Sequence, residues 1–291
     1  MIDSMREIFS TKELCEAFEV SPSSYYAWKQ PRSTKRLVEE KKIIEAIKAI
    51  HSHRYMKSYG SPRMTAELNA RGVECGRHRV CRIMREQGIF VRSRRAFRPR
   101  TTKVDKTARI APNHLAKADM PKVPAQQLVS DITYLRTKEG WLYLSIIVDL
   151  FSRAIVGWDL SDSLAAQSLG KAIKRAHENG SIQKGCLFHS DRGCQYTSNH
   201  VRKTLGPWVR QSMSAKGYCY DNAFAETCFA TIKAEMLPDT QLFESKLDAR
   251  RAVFDYIETF YNRTRRHSSL GHTSPLQFLQ LYNQKQNIHL N

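Results

Sequence analysis

At 291 residues the chain is long enough for one substantial core plus smaller modules, and 47 Lys and Arg against 28 Asp and Glu give it a formal net charge of +19. The excess is lopsided, with 26 basic and 13 acidic side chains in residues 1–120 against 21 and 15 in residues 121–291, which points to nucleic acid rather than an anionic membrane surface. No run approaches the roughly 18 apolar residues of a membrane span, the start carries no secretory pattern, and seven cysteines without a C-x-x-C pair read as reduced thiols of a cytoplasmic protein.

In chain order, the first signal is helical. Leu14, Cys15, Ala17 and Phe18 fall at helical spacing, Glu19-Val20-Ser21 reads as a turn, and Ser21 with Pro22 opens a second helix bearing Tyr25, Tyr26 and Trp28. Two short helices around a tight turn make a helix-turn-helix over residues 1–34. A second such region is expected over 35–90, from a helix Lys41–His51, a helix begun by Ser61-Pro62 and ended by Gly72, and a third from Gly76 to Gln87 closed by Gly88. That last helix turns Val80, Ile83 and Met84 inward and Arg77, Arg79, Arg82 and Arg85 outward, as phosphate contact requires. Residues 91–124 follow as a basic linker, in which Arg92, Arg94, Arg95, Arg98 and Arg100 stand without apolar periodicity and are expected to track DNA.

After Pro121 and Pro124 the pattern becomes alternating. Leu128–Leu135 sets Val129, Asp131 and Thr133 on one face of a strand, and Trp141–Val148 and Ala154–Leu160 complete an antiparallel meander. Ser163 is the expected cap of a helix through His177 that ends at Asn179-Gly180. Gly185–Ser190 is then a short buried strand, Pro207–Met213 another, and Tyr220–Met236 a helix, which together predict a mixed five-stranded sheet flanked by helices. A helical extension over 237–291 contains the stripe Leu247, Val253, Phe254 and Ile257, a basic turn with Arg263, Arg265 and Arg266 open to DNA or solvent, and a last helix from Pro275.

Three acids stand out by placement. Asp131 lies within a strand, Asp191 at a strand end where α/β sheets carry their sites, and Glu226 on a helix with Lys233 seven residues later on the same face. Phosphodiester cleavage by in-line attack needs two hard cations about 3.5–4 Å apart, and magnesium takes oxygen ligands from such carboxylates. Asp149 follows an apolar strand but reads as a turn residue held by Ser152 or Arg153, and His189 as a structural histidine. Three readings stay open on the residues alone: a transferase that cuts and joins DNA, a structure-directed nuclease of the same fold, and a non-catalytic DNA-binding regulator using residues 1–100.

The stretches Ser130–Leu135, Val148–Trp158, HSDRGCQYTS at 189–198, GYCYDNAFAE at 217–226, Lys233 and YNRTRRHSSLGHTSP at 261–275 resemble OrfB-type bacterial insertion-sequence transposases. LCEAFEVSPSSYYAW and YGSPRMTAEL resemble the helix-turn-helix regions of the same family, so the likeness spans nearly the whole chain. The resemblance implies an RNase H-like, retroviral-integrase-type core at 125–236 with Asp131, Asp191 and Glu226 as acidic triad and metal ligands, and Lys233 as the basic residue that follows the glutamate. It implies cleavage at element ends and 3′-hydroxyl transfer supported by two Mg2+ ions, with Mn2+ as substitute. It further implies a homo-oligomer on DNA in the bacterial cytoplasm, at the nucleoid, and an upstream-frame OrfA-type partner or fusion, since this chain holds no sustained heptad repeat.

Overall fold

A computed structural model describes residues 2–29, 35–91, 110–164, 166–214, 223–238 and 240–288. The chain opens with a helical hairpin, α1 (Thr11–Ala17) and α2 (Pro22–Lys29). Ser10 accepts the Glu13 amide and Glu13 accepts the Ser10 amide, so both orphan donors are met in a capping box. Ser21 caps α2 as the sequence predicts, its hydroxyl accepting the Ser24 amide at 3.1 Å. Tyr25 is buried and donates to Asp3 at 2.6 Å, whereas Tyr26 and Trp28 stay exposed.

Three helices follow, α3 (Lys35–Ser52), α4 (Ser61–Ala70) and α5 (Arg77–Glu86). Gly60, rather than Ser61, stands at the cap of α4; Ser61 is already helical, and its carbonyl takes the Thr65 hydroxyl at 2.8 Å. Pro62 fits there because the first-turn amides have no intrahelical partner to lose. Gly72 and Gly88, both at positive φ, end α4 and α5, where the backbone turns left-handed to satisfy the last carbonyls.

The sheet has the order β3-β2-β1-β4-β5, built from β1 (Gln127–Thr137), β2 (Gly140–Asp149), β3 (Ile155–Ser161), β4 (Leu187–Ser190) and β5 (Arg210–Met213). β1, β2 and β3 pair antiparallel through tight turns, and β4 joins β1 parallel, as β5 joins β4. The parallel partners need crossovers, which α6 (Ala166–Glu178) and α7 (Asn199–Leu205) supply. This is the RNase H-like mixed sheet that the resemblance implies. The described part of α6 runs from Ala166, and Ser163 lies in a bend, its amide held by the Ser161 hydroxyl at 3.2 Å. β3 and α6 touch at Gly157, where an added Cβ would lie 2.3 Å from the Ala172 carbonyl oxygen.

Alternation along β1 divides the core. Leu128 joins Leu169, Ile173 and Val201 on the α6–α7 side, while Val129 and Leu135 face α8 (Ala223–Met236), α9 (Lys246–Phe254) and, in one continuous apolar cluster, Ile47, Met64, Leu68 and Ile83 of the N-terminal helices. Past α9 the chain runs through a π-helical turn, Asp255–Tyr261, to α10 (Pro275–Ile288), which lays Phe278 and Tyr282 against Phe151. Among the described residues no helix is long and apolar enough to cross a membrane.

Candidate active site

The sheet register brings the first two acids together. β1 and β4 run parallel, and their pairing ends with Val129 opposite His189, two residues before Asp131 on β1 and two before Asp191, which lies just past the end of β4. Neighbouring strands lie about 4.8 Å apart, and the charges of both acids act on the buried Tyr196, so the two belong to one neighbourhood. The Val129 face of β1 packs toward α8. The sequence builds this by ending β4 after four residues, where Asp191 folds back to accept the Gly193 amide at 2.9 Å. Asp131 remains in the strand, its Oδ1 accepting the Ile132 amide at 2.8 Å.

Electrostatics agree with that placement. Burial pushes the Asp191 carboxyl above its ordinary range, against the Gly193 amide that favours the charged form. Beneath both acids lies Tyr196, fully buried, whose phenol is pushed well up by burial and by the charges of Asp131 and Asp191. Ser130 gives its hydroxyl hydrogen to the Ile146 carbonyl at 2.9 Å, so Tyr196, 3.0 Å away, is the donor of their shared bond. Tyr196 was not singled out in the sequence; the signal lay in an aromatic five residues after the strand-end acid, inside a polar turn.

Lys233 comes to this place from α8. Burial lowers its ammonium, and the Asp131 carboxylate acts in the opposite direction, which sets the two groups in electrostatic reach. Glu226 lies two turns earlier on the same helix, about 10 Å along the axis; its side chain is outside the described residues. An oxygen-only donor set in which a carboxylate has been taken out of water suits a hard cation, because burial of an acid is costly until a positive charge meets it.

Other residues singled out by sequence separate into structural and exposed ones. Asp149 is buried and accepts from Ala125, Phe151 and Ser152 amides and from the Ser152 hydroxyl, so it holds the β2–β3 turn as expected. His189 is fully buried, with Nδ1 2.8 Å from Ser212 Oγ and Nε2 3.1 Å from Ser214 Oγ, a bridge from β4 to β5. Arg79 meets Glu39 and Glu40, and Arg82 is held by Glu40 and Glu86, both at 2.8 Å, so their charges are already answered within the helical region. Arg77 and Arg85 are exposed. Arg92, Arg94 and Arg95 lie outside the described residues. In the C-terminal turn Arg265 is buried on Glu235 and Arg266 pairs with Glu67, which leaves Arg263 as the exposed arginine of that group.

The five-stranded mixed sheet, with Asp131 on its central strand β1 and Asp191 just past the neighbouring β4, is the frame of an integrase-type core. The Integrase core domain family matches residues 121–219, a second Integrase core domain family residues 208–275, and an HTH-like domain residues 38–97. The chain is 36% identical over 279 residues to transposase InsF for insertion sequence IS3A of Escherichia coli strain K12, covering 95% of this chain and 96% of that one. It is 36% identical over 274 residues to an uncharacterised 31 kDa protein of insertion element IS600 from Shigella sonnei, covering 93% and 99%. The chain belongs to this family of insertion-sequence transposases, polynucleotidyl transferases by class. A chain of the simian T-cell lymphotropic virus intasome aligns with 80% of this chain and 73% of its own length at a TM-score of 0.44 and 14% identity.

Proposed function

We propose that this transposase both cleaves the ends of its element and transfers the freed 3′-hydroxyl to another DNA phosphate, with Asp131, Asp191 and Glu226 as catalytic carboxylates. The observation that carries the reading is electrostatic and topological: β1 and β4 run side by side toward Asp131 and Asp191, both acids act on buried Tyr196, and Asp131 acts on Lys233 of the helix that bears Glu226. Two divalent ions, Mg2+ or in substitution Mn2+, would be held by these three acids and supply activation of the attacking oxygen and stabilisation of the leaving one. Asp131 would present its oxygens from within β1 and Asp191 from the turn that follows β4, next to the buried Tyr196–Ser130 pair. Lys233, partly out of water beside Asp131, binds a terminal DNA phosphate more strongly than an exposed lysine would.

The division of labour follows chain order. Residues 1–34 and 35–90 are the DNA-binding helical regions, 91–124 the basic linker, 125–236 the catalytic core and 237–291 the extension that braces it. Arg77 is the leading phosphate ligand of α5; Arg79 and Arg82 would exchange glutamate for phosphate, and Arg92, Arg94 and Arg95 would track the backbone. The active species is a homo-oligomer on DNA in the bacterial cytoplasm, working with an OrfA-type upstream-frame product.

Labelled end DNA and supercoiled plasmid, with Mg2+ and with or without the upstream-frame product, test this reading. Joined products that vanish in Asp131→Asn, Asp191→Asn and Glu226→Gln support it. Nicking without joining would make the chain a nuclease, and products unchanged by all three substitutions would remove the site.

A further inference from the structure

The conspicuous buried charge outside the paired acids is Glu235, near the C-terminal end of α8. Its carboxylate is almost fully buried, and four donors from three elements fill it. Arg265 grips it with two bonds, Nε to Oε2 at 2.7 Å and Nη2 to Oε1 at 2.8 Å. Arg63 of α4 adds Nη1 to Oε1 at 2.9 Å, and the Tyr256 hydroxyl donates to Oε2 at 2.7 Å. A carboxylate offers about four lone-pair sites, so none is left for another role.

The arginines are themselves fixed. Arg63 also donates to the Ser58 carbonyl at 3.1 Å, and one turn along α4 Glu67 accepts Arg266 at 2.6 Å, the neighbour of Arg265 in sequence. The consecutive arginines of the 261–275 stretch thus reach different helices, α8 and α4. Asn262 of the same stretch brackets Ile155 of β3, accepting its amide and donating to its carbonyl, both at 2.9 Å. Tyr261 donates to the Arg153 carbonyl at 3.2 Å. A basic turn that the sequence left open to DNA or solvent is therefore, through Arg265, Arg266 and Asn262, a clamp on α8, α4 and the edge strand.

Position on the helix gives the clamp its meaning. Glu235 stands nine residues after Glu226 and two after Lys233, so at about 100° per residue it lies on the opposite side of α8 from both. A buried ion pair adds little stability over an apolar pair of equal volume, but its bonds are directional. A bidentate arginine and two further donors fix both the rotation of α8 and its advance along its axis. A slip of one residue would turn the front face by about 100° and shift it about 1.5 Å.

We propose that Glu235 is a positioning residue for transposition: held by Arg265, Arg63 and Tyr256, it sets α8 from behind so that Glu226 and Lys233 meet Asp131 and Asp191. This rests on the reading of Glu226 as a catalytic carboxylate. It makes α4 and the 261–275 stretch parts of the active-site support.

The test uses the full chain in the joining assay with end DNA, plasmid and Mg2+, alongside thermal unfolding and amide exchange. Glu235→Gln alone strands the buried Arg265 and is expected to unfold at lower temperature. The double variant Glu235→Gln/Arg265→Met removes both charges, so its unfolding temperature returns near wild type while directionality is lost. Its joining rate at saturating DNA should fall about a hundredfold, as misplacement near 1 Å does, and KM for end DNA should rise as well, because Lys233 moves with α8. Exchange of α8 amides should quicken while β1 stays protected. Glu235→Asp keeps the charge with a shorter arm and is expected to fold and to lose rate in the same sense, which serves if the double variant does not fold. A folded variant that joins at the wild-type rate overturns the proposal. Glu226→Gln at the wild-type rate instead overturns the site reading and the proposal with it, whereas an inactive Glu226→Gln beside fully active Glu235 variants overturns the positioning role alone.

Discussion

Asp191 and Glu235 are both acids taken out of water within one domain, and they are treated in opposite ways. Glu235 is given Arg265, Arg63 and Tyr256, and these hold its carboxyl below the ordinary range in spite of burial, which acts the other way. Asp191 is given one backbone amide, and burial leaves its carboxyl raised. The first carboxylate is complete and can only hold structure. The second keeps unmet demand for positive charge, which is what a metal-binding carboxylate needs before its ion arrives.

The largest test of that contrast is a pair of substitutions read side by side. Asp191→Asn should cut strand transfer by at least about a thousandfold, in keeping with loss of interactions made only in the transition state, while unfolding of the metal-free chain is unchanged or shifted upward. Glu235→Ala should do the reverse to stability, losing roughly 3–5 kcal/mol because it leaves buried Arg265 without a partner; denaturant unfolding measures both. If Asp191→Asn destabilised the metal-free chain as much as Glu235→Ala, the two acids would not differ in kind.

Added Mg2+ sharpens the comparison next. It should raise the unfolding temperature of the wild type and of the Glu235→Gln/Arg265→Met chain, and leave Asp191→Asn unmoved, because a ligand stabilises only the state that binds it. Acid should act on the clamp side. His267, against Arg265 and the Tyr261 ring, is lowered by burial and by Arg265 from 6.5 to about 3. Below pH 6.5 the unfolded chain takes a proton that the folded one refuses, so stability falls as pH drops from 6.5 toward 3, and protonation of Glu235 adds to the fall at the acid end. His267→Gln should flatten the upper part of that slope. The smallest effect is expected at the surface, where Arg77→Ala should weaken DNA binding across sequences and reduce the salt dependence by about one ion.

Much of the scaffold was legible. The period-two run around Asp131, the short buried strand before Asp191 and the helical run around Lys233 were readable because burial periodicity is local. Helix starts were less so: Gly60 rather than Ser61 stands at the cap of α4. Arginines were the least legible residues of all. Arg77, Arg82 and Arg266 look alike in sequence, and whether a guanidinium faces phosphate, a helical neighbour or a buried glutamate depends on partners 4 to 199 residues away.

By itself the sequence determined the order of the five strands, the elements on which Asp131, Asp191 and Lys233 stand, and the transposase kinship carried by its motifs. The tertiary structure alone decided that residues 129 and 189 pair, and hence that the strand of Asp131 runs beside the one that leads into Asp191. It also decided that the arginines at 265 and 266 turn inward to hold α8 and α4. The reason is physical: a strand or helix is specified by neighbours within a few residues, whereas register and charge pairing are settled when distant segments exclude water from each other.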